Sequence, residues 1–351
     1  MLLNHSMIRN RTLTGLFLLF LTCQRQPDVI SEKALPVYGG ILRQTLSTAI
    51  ETLDPQHILF YRDRQLASLV YEGLTTLAMD GMSVVPALAE SWTVDSTMTR
   101  WEFTLRDEVY FHDDPCFPGG RGRKLVPEDV VHTFQRIADP ERPSIYAYLF
   151  LNRIQGFREY NQGENRTLSG IEVVDEHRVA FTLIQPAAVF LKLLATAVAY
   201  IVPREAVDRY GAGLANHCVG TGPFRLLRWR PLREMTFGRH ERYWRTDSRG
   251  RRQPYLDAVT VNLEGNPDIA MVNFMKGDCD ILELPAAAFP TFSSDTTLAM
   301  KWKVVGRMPE MHVRFLGFSL DNGSPLARKI TLRRAVAAGF DREKLLSLIH
   351  I

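Results

Sequence analysis

The chain has 351 residues, 46% hydrophobic and 23% charged, with a formal net charge of +3. That composition excludes a disordered or fibrous chain and leaves length for a large core or for more than one lobe. The small net charge makes neither nucleic acid nor an anionic surface an obligatory partner.

The N-terminus opens with basic Arg9 and Arg11, then an apolar run from Leu13 to Leu21, then Cys23 and a polar turn at Gln24. A basic segment followed by a short apolar one is the pattern of an export signal, because the run is shorter than the roughly 20 residues a membrane span needs. Phe20-Leu21-Thr22-Cys23 is similar to a bacterial lipobox, although Thr22 is larger than the Gly or Ala usual before such a cysteine. Residues 1–23 are therefore expected to be a signal peptide, with lipid on Cys23 as the anchor. Residues 24–37 then read as a tether. An uncleaved signal anchor is the competing reading.

Downstream, strand and helix patterns alternate without repeats. Gly40 to Leu46 reads as a strand. Leu66, Leu69, Val70 and Leu74 share a helical face, which predicts a helix over 66–74. Trp92 and Val94 lead through a turn at Asp95-Ser96 into an alternating strand, Trp101, Phe103 and Leu105, that Val109 and Phe111 extend after a break. Pro127, Glu128 and Asp129 open a helix carrying Val130, Phe134 and Ile137 on one face. A hairpin pairs Ile171 and Val173 with Val179, Phe181 and Leu183. Phe190 to Val202 predicts a buried helix running into a strand. Later come a strand at Val259, Val261 and Leu263, and a helix from Ile269 that stops at Gly277. A strand over Phe315–Leu320, a helix over Ile330–Ala338 and a last helix capped by Asp341 complete the pass. Helices mixed with hairpins imply an α/β or mixed α+β fold with more than one lobe.

Few residues suggest chemistry. His112 beside Asp113 and Asp114 could be a metal or acid–base site, but neighbours on a strand point to opposite faces. His217 beside Cys218 faces the same objection. Cys116, Cys218 and Cys279 show no metal-ligand spacing, and an exported chain allows one disulfide among them without indicating which. The arginine-rich stretch Arg225 to Arg252, with Trp229, Tyr243 and Trp244, could bind phosphate, yet charge runs are usually solvated edges and loops. Hydrolase and phosphate-loop motifs are absent from the sequence.

Several segments, in order, resemble the extracellular solute-binding proteins of ABC importers of the oligopeptide- and dipeptide-binding type. They are Tyr38-Gly39-Gly40 with Leu53-Asp54-Pro55; Tyr71-Glu72-Gly73-Leu74; Pro86 through Trp92, then Trp101 through Arg106 and Val109 through Asp113; Glu128 through Arg136; Gly220-Thr221-Gly222-Pro223-Phe224 with Tyr243-Trp244; and Leu332 through Val336 with Phe340 through Glu343. The set runs from Tyr38 to Leu346. A longer loop, Asp113 to Gly120, stands where the family usually has a short hairpin.

The resemblance implies a two-lobed periplasmic-binding-protein-like fold. Residues 38–71 and 204–311 would form the first lobe, 72–203 a subdomain inserted in it, and 312–351 the start of a second lobe that is largely missing. Leu346 to Ile351 would be stray codons of a truncated gene. The implied function is capture of small peptides outside the cytoplasmic membrane for an ABC permease, by a monomer held to the membrane through lipid alone, without enzymatic activity, cofactor or nucleic acid. Implied ligand residues are Leu59, Tyr61, Tyr146, Thr221 and Gly222. Nickel, a heme precursor or an oligosaccharide are alternative ligands, and a hydrolase or nucleic-acid binder is the reading from another class. The 351-residue chain by itself is expected not to bind, because half of the enclosing surface would be lacking.

Overall fold

A computed structural model of the chain describes residues 36–46 and 48–283, together with 294, 318, 320, 325–339 and 341. It divides into two units, Met1–Val37 and Tyr38–Ile351. Cys23 and the whole predicted signal and tether, apart from Pro36 and Val37, lie outside the described residues. The second unit is a mixed α/β structure, as the sequence pattern predicts.

Its larger sheet has the order β11-β1-β10-β9-β8. The strands are β1 (Ile41–Leu46), β8 (Phe224–Arg230), β9 (Glu234–Arg239), β10 (Ala258–Leu263) and β11 (Ile281–Leu282). β1 lies parallel to β10 over Ile41↔Ala258 to Leu46↔Leu263, and parallel to β11, while β8, β9 and β10 form an antiparallel meander. Val259 and Val261 are buried by strict alternation, which fixes the register of β10, since a one-residue slip would turn both to the opposite face.

The smaller sheet, β4 (Ala89–Val94), β5 (Arg100–Leu105), β7 (Arg178–Thr182) and β6 (Ile171–Val173) in that order, is antiparallel throughout. The expected hairpin holds its register, with Ile171 opposite Phe181 and Val173 opposite Val179. Helix α2 (Pro127–Ile137) packs against β6 and β7. Phe134 and Phe103 meet Phe181 edge to face at 5.0 and 5.7 Å, all three fully buried. Burial of each such ring is worth about 2–3 kcal/mol. A short hairpin, β2 (Thr75–Leu77) with β3 (Val84–Pro86), precedes this sheet. One continuous apolar cluster joins residues of both larger sheets, from Leu46 to Val261.

Three expectations change. The helix predicted over 66–74 is α1 (Tyr61–Val70), whose buried face is Asp63, Leu66, Ala67 and Val70. Tyr71 is extended, and the next carbonyls are claimed from outside a helix: Ile201 N–H donates to Glu72 O, Leu88 N–H to Gly73 O and Ala89 N–H to Leu74 O. Leu74 is buried by the strand it feeds and not by a helical turn. Phe190 to Val202 holds the short α4 (Phe190–Leu194) and a 3-10 turn at Ala197–Ala199, with no strand. The Thr196 hydroxyl donates to Leu193 O at 2.6 Å and ends the helix there. Val109 and Phe111 are fully buried but lie outside any strand; only Tyr110 bridges, to Lys124.

α3 (Phe157–Asn161), α5 (Arg204–Tyr210) and α6 (Pro267–Lys276) complete the helices up to residue 283. α6 stops at Gly277 with φ 84°, as predicted. Beyond residue 283, α7 (Pro325–Arg328) and α8 (Ile330–Ala338) are described. Of the strand predicted over Phe315–Leu320, only Phe318 and Leu320 are described, and neither is in a strand. Asp341 is described, but the helix it was expected to cap is outside the described residues. Among the described residues no helix is long and apolar enough to cross a membrane.

Candidate functional site

The segment leading into α1 is fastened by buried polar groups. Asp54 is 5% exposed and Gln56 is fully buried. The Arg136 guanidinium, projecting from the last turn of α2, donates to Asp54 Oδ1 at 2.9 Å, to Asp54 Oδ2 at 2.5 Å and to Gln56 Oε1 at 2.6 Å. Gln56 Nε2 donates to Thr133 O at 3.0 Å. Burial alone would raise the Asp54 carboxyl, but hydrogen bonds from His57 and Arg136 overcome it and hold the group far below the usual carboxylate range.

The next residues are held by the loop after α2. Ser144 Oγ donates to Gln56 O at 2.5 Å, and Tyr146 OH donates to Ile58 O at 2.8 Å. Directly after this clamped backbone the side chains turn outward. Leu59 is 60% exposed, Phe60 50% and Tyr61 48%, with Ile145 and Tyr148 exposed on the neighbouring loop. Gln65 Nε2 donates to the Tyr61 hydroxyl at 3.1 Å. The arrangement is an apolar and aromatic surface on a backbone fastened by Ser144 and Tyr146. Of the residues singled out for binding, Leu59, Tyr61 and Tyr146 are brought together here.

Thr221 and Gly222 lie elsewhere, at the far end of α1. A helix of 10 residues is about 15 Å long, so the two groups are not one pocket. Gly222 N–H donates to Val70 O at 2.8 Å. Thr221 is fully buried, and its hydroxyl donates to Glu72 at 3.1 Å. Tyr243 OH and Trp244 Nε1 donate to the same carboxylate at 2.9 and 3.0 Å. Burial pushes the Glu72 carboxyl up, against the pull of these three donors. The Trp244 ring has the guanidiniums of Arg106 and Arg245 stacked at 4.4 and 4.9 Å. The polar groups of Thr221 and Gly222 are thus turned inward, and what they build is the brace between α1 and the 243–244 segment.

The residue pairs that suggested catalysis do not converge. His112 is buried against His240, while Asp113 pairs with Arg242 at 2.6 Å. His217 stacks on Tyr210 at 5.0 Å, whereas Cys218 is buried with its thiol pushed up by desolvation. Cys116, Cys218 and Cys279 are free thiols, so the disulfide that the sequence allows is not formed. Among the described residues no group of His, Cys, Asp and Glu could hold a metal ion. In the arginine-rich stretch, Arg230 pairs with Glu234, Arg242 with Asp113, Arg239 with Asp257 and Arg251 with Asp247. Much of its charge is therefore neutralised locally.

Sequence reasoning missed the organising role of Glu72, Gln56 and His240. A charged residue between the apolar Val70 and Leu74 was the available signal for Glu72. His240 carried none, because its partner lies 128 residues earlier in the chain.

Residues 83–350 match the family model of the bacterial extracellular solute-binding proteins, family 5 Middle. The peptide transport periplasmic protein SapA of Salmonella typhimurium is 30% identical over 294 residues, which is 81% of this chain and 50% of that protein. The periplasmic oligopeptide-binding protein OppA of Escherichia coli is 25% identical over 88% of this chain and 54% of its own length. The solved periplasmic binding protein DppA of Helicobacter pylori, in complex with the peptide STSA, superposes with a TM-score of 0.64 at 21% identity, over 74% of this chain and 50% of that one. The chain spans about half the length of the curated relatives it matches.

Proposed function

Because the chain belongs to the family 5 bacterial extracellular solute-binding proteins, we propose that it serves as the peptide-capturing component of an ABC importer outside the cytoplasmic membrane. The observation that carries this reading is the exposed run Leu59, Phe60 and Tyr61, set on a backbone that Ser144 and Tyr146 clamp. An exposed apolar and aromatic surface on a fastened backbone suits an extended peptide, whose backbone gives affinity while varied side chains rest in roomy pockets. Leu59, Tyr61 and Tyr146 contact or frame the ligand. Thr221 and Gly222 act one step back, by holding α1. A facing surface that closes over the ligand would exclude water and strengthen each polar contact.

The rest of the proposal follows the family. The partner is a membrane permease, the protein is a monomer without catalytic activity, and Cys23 carries a lipid anchor after signal cleavage. Residues 38–71 and 204–311 form one lobe and 72–203 an insert within it; the membership of the two larger sheets supports this division. Residues 312–351 begin the next lobe. Calorimetric titration of the protein as encoded at its genomic locus tests the ligand class. Micromolar binding of peptides in a panel of di- to pentapeptides is expected. Binding of nickel, heme precursors or sugars without peptides, or hydrolysis of any of them, would overturn it.

A further inference from the structure

His112 and His240 form a buried pair around the Gly220–Pro223 turn. Their rings meet edge to face at 4.7 Å. His112 is 1% exposed and His240 5%. His112 Nε2 donates to Gly222 O at 2.9 Å, and His240 Nδ1 donates to the same carbonyl at 3.1 Å. Gly220 N–H donates to His112 Nδ1 at 3.3 Å. These partners assign both protons: a carbonyl can only accept, and an N–H can only donate. His112 is neutral with its proton on Nε2. His240 carries its proton on Nδ1, and its Nε2 is buried without a partner.

We propose that this pair is an acid-sensitive clamp, which holds the Gly220–Pro223 turn against α1 while both imidazoles are neutral and releases it when they are protonated. A second proton on His112 would set Nδ1–H against Gly220 N–H, donor against donor. A second proton on His240 would sit at the buried Nε2, which has no hydrogen-bond partner. Two imidazoliums 4.7 Å apart would also repel. The same turn carries Gly222 N–H to Val70 O and Thr221 to Glu72, so its loss frees the end of α1.

The surroundings oppose protonation. Desolvation is the largest influence on both rings, and each also pushes against positive charge: His112 against His240 and Arg225 from β8, His240 against Arg242. Asp113 is the acidic group that favours a charged His240, and it is already bonded to Arg242. The Tyr243 ring lies 6.4 Å from His240 with its hydroxyl committed to Glu72. The sign follows. Histidines in the unfolded chain take up protons near pH 6.5, whereas these stay neutral when folded to lower pH. Their stabilisation is present above about pH 6.5 and is lost as the pH falls below it. Each contributes about a tenfold fall in the folded-to-unfolded ratio per pH unit, so the pair reaches about a hundredfold.

The test compares the protein with a His112→Gln, His240→Asn double variant, whose amides place donors where Nε2 and Nδ1 stand but do not titrate. Urea unfolding between pH 7.5 and 5 should show the variant's acid slope shallower by up to about a hundredfold per pH unit. An unchanged slope would overturn the proposal. His132, also buried without a partner at Nε2 and lowered to about 4, is common to both proteins and cancels. If the variant folds poorly, nitrogen NMR of the unaltered protein decides. Both imidazoles should keep the stated tautomers at pH 5.5 in the folded chain, and the protection of Gly222 N–H, taken against the intrinsic exchange rate at each pH, should fall as the pH falls. Either ring titrating near 6.5 with the turn intact would refute the clamp.

Discussion

Arg136 grips Asp54 with both ends of its guanidinium fork, at 2.9 and 2.5 Å, across 82 residues of sequence. Their side chains are only 12% and 6% exposed, so solvent screens the pair little. Removing one partner leaves the other charge buried and uncompensated. Arg136→Ala should cost about 3–5 kcal/mol in urea unfolding at pH 7. Arg136→Lys should recover only part of this, because a point charge cannot span Asp54 and Gln56 together. The Asp54 carboxyl is depressed in the folded state, so its contribution is present above about pH 4 and disappears as the pH falls below that. Asp54→Asn should flatten the stability profile below pH 4. A wild-type profile in that variant would show that the ion pair does not fasten the segment.

In the protein as encoded at its genomic locus, the site residues should separate into two classes by a joint measurement of stability and peptide affinity. Leu59→Ala and Tyr61→Ala remove exposed side chains and should change stability by no more than about 0.5 kcal/mol while weakening peptide binding. Tyr146→Phe keeps the ring and loses the bond to Ile58 O, at about 1 kcal/mol of stability. Thr221→Val should do the reverse of the first pair: about 1–3 kcal/mol of stability lost with the donor to Glu72, and affinity retained wherever the protein is folded. Loss of affinity in a well-folded Thr221→Val protein would place the hydroxyl at the ligand after all.

Close approach, and not backbone freedom, dictates Gly220. A Cβ there would lie 2.1 Å from Val70 O, a contact with backbone that no side-chain rotation relieves. Gly220→Ala should therefore leave little folded protein at 25 °C. Gly213 provides the control, since a Cβ there meets nothing closer than 3.8 Å. Gly213→Ala should be neutral or slightly stabilising, by up to about 1 kcal/mol. Circular dichroism melts of the two variants side by side test the contrast.

Local patterns were read well from the sequence where one periodicity acted alone. The Ile171–Val179 hairpin, the Pro127 helix and the Gly277 stop each depend on neighbours within a few residues, and all three appear as expected. The helix predicted over 66–74 runs past the observed end because the spacing of Leu74 fits a helix and a strand start equally, and the backbone partners that decide, Leu88 and Ile201, are distant in sequence. The contacts that shape the candidate site are only partly legible in the sequence. Leu59 and Tyr61 are exposed just past the Asp54–Arg136 fastening, yet no sequence pattern announces that Arg136, Ser144 and Tyr146 all converge on 54–58. Thr221 enters the candidate site only through the resemblance, and its bond to Glu72, 149 residues away, has no local sequence signal.

Glu72 is the acceptor on which three donors from two separate segments meet, so its replacement reads out the brace as a whole. Burial raises its folded carboxyl above the unfolded value of about 4.3. For a raised acid the folded state binds the proton more tightly, so stability falls as the pH rises from about 4.3 through the folded value. Glu72→Gln removes that dependence. It also replaces one carboxylate oxygen by N–H₂, so either Tyr243 on one side or Thr221 and Trp244 on the other lose their present acceptor. At pH 7 the loss of acceptor capacity should outweigh the relief of burying a charge, giving a net destabilisation of about 1–3 kcal/mol. Glu72→Ala should cost more, because all three donors then lack a partner and a cavity is left beside Trp244. Urea unfolding of both variants at pH 5 and pH 8 measures the order and the slope. A Glu72→Gln protein as stable as the parent at pH 8 would mean that the three donors find other acceptors, and the brace would lose its keystone.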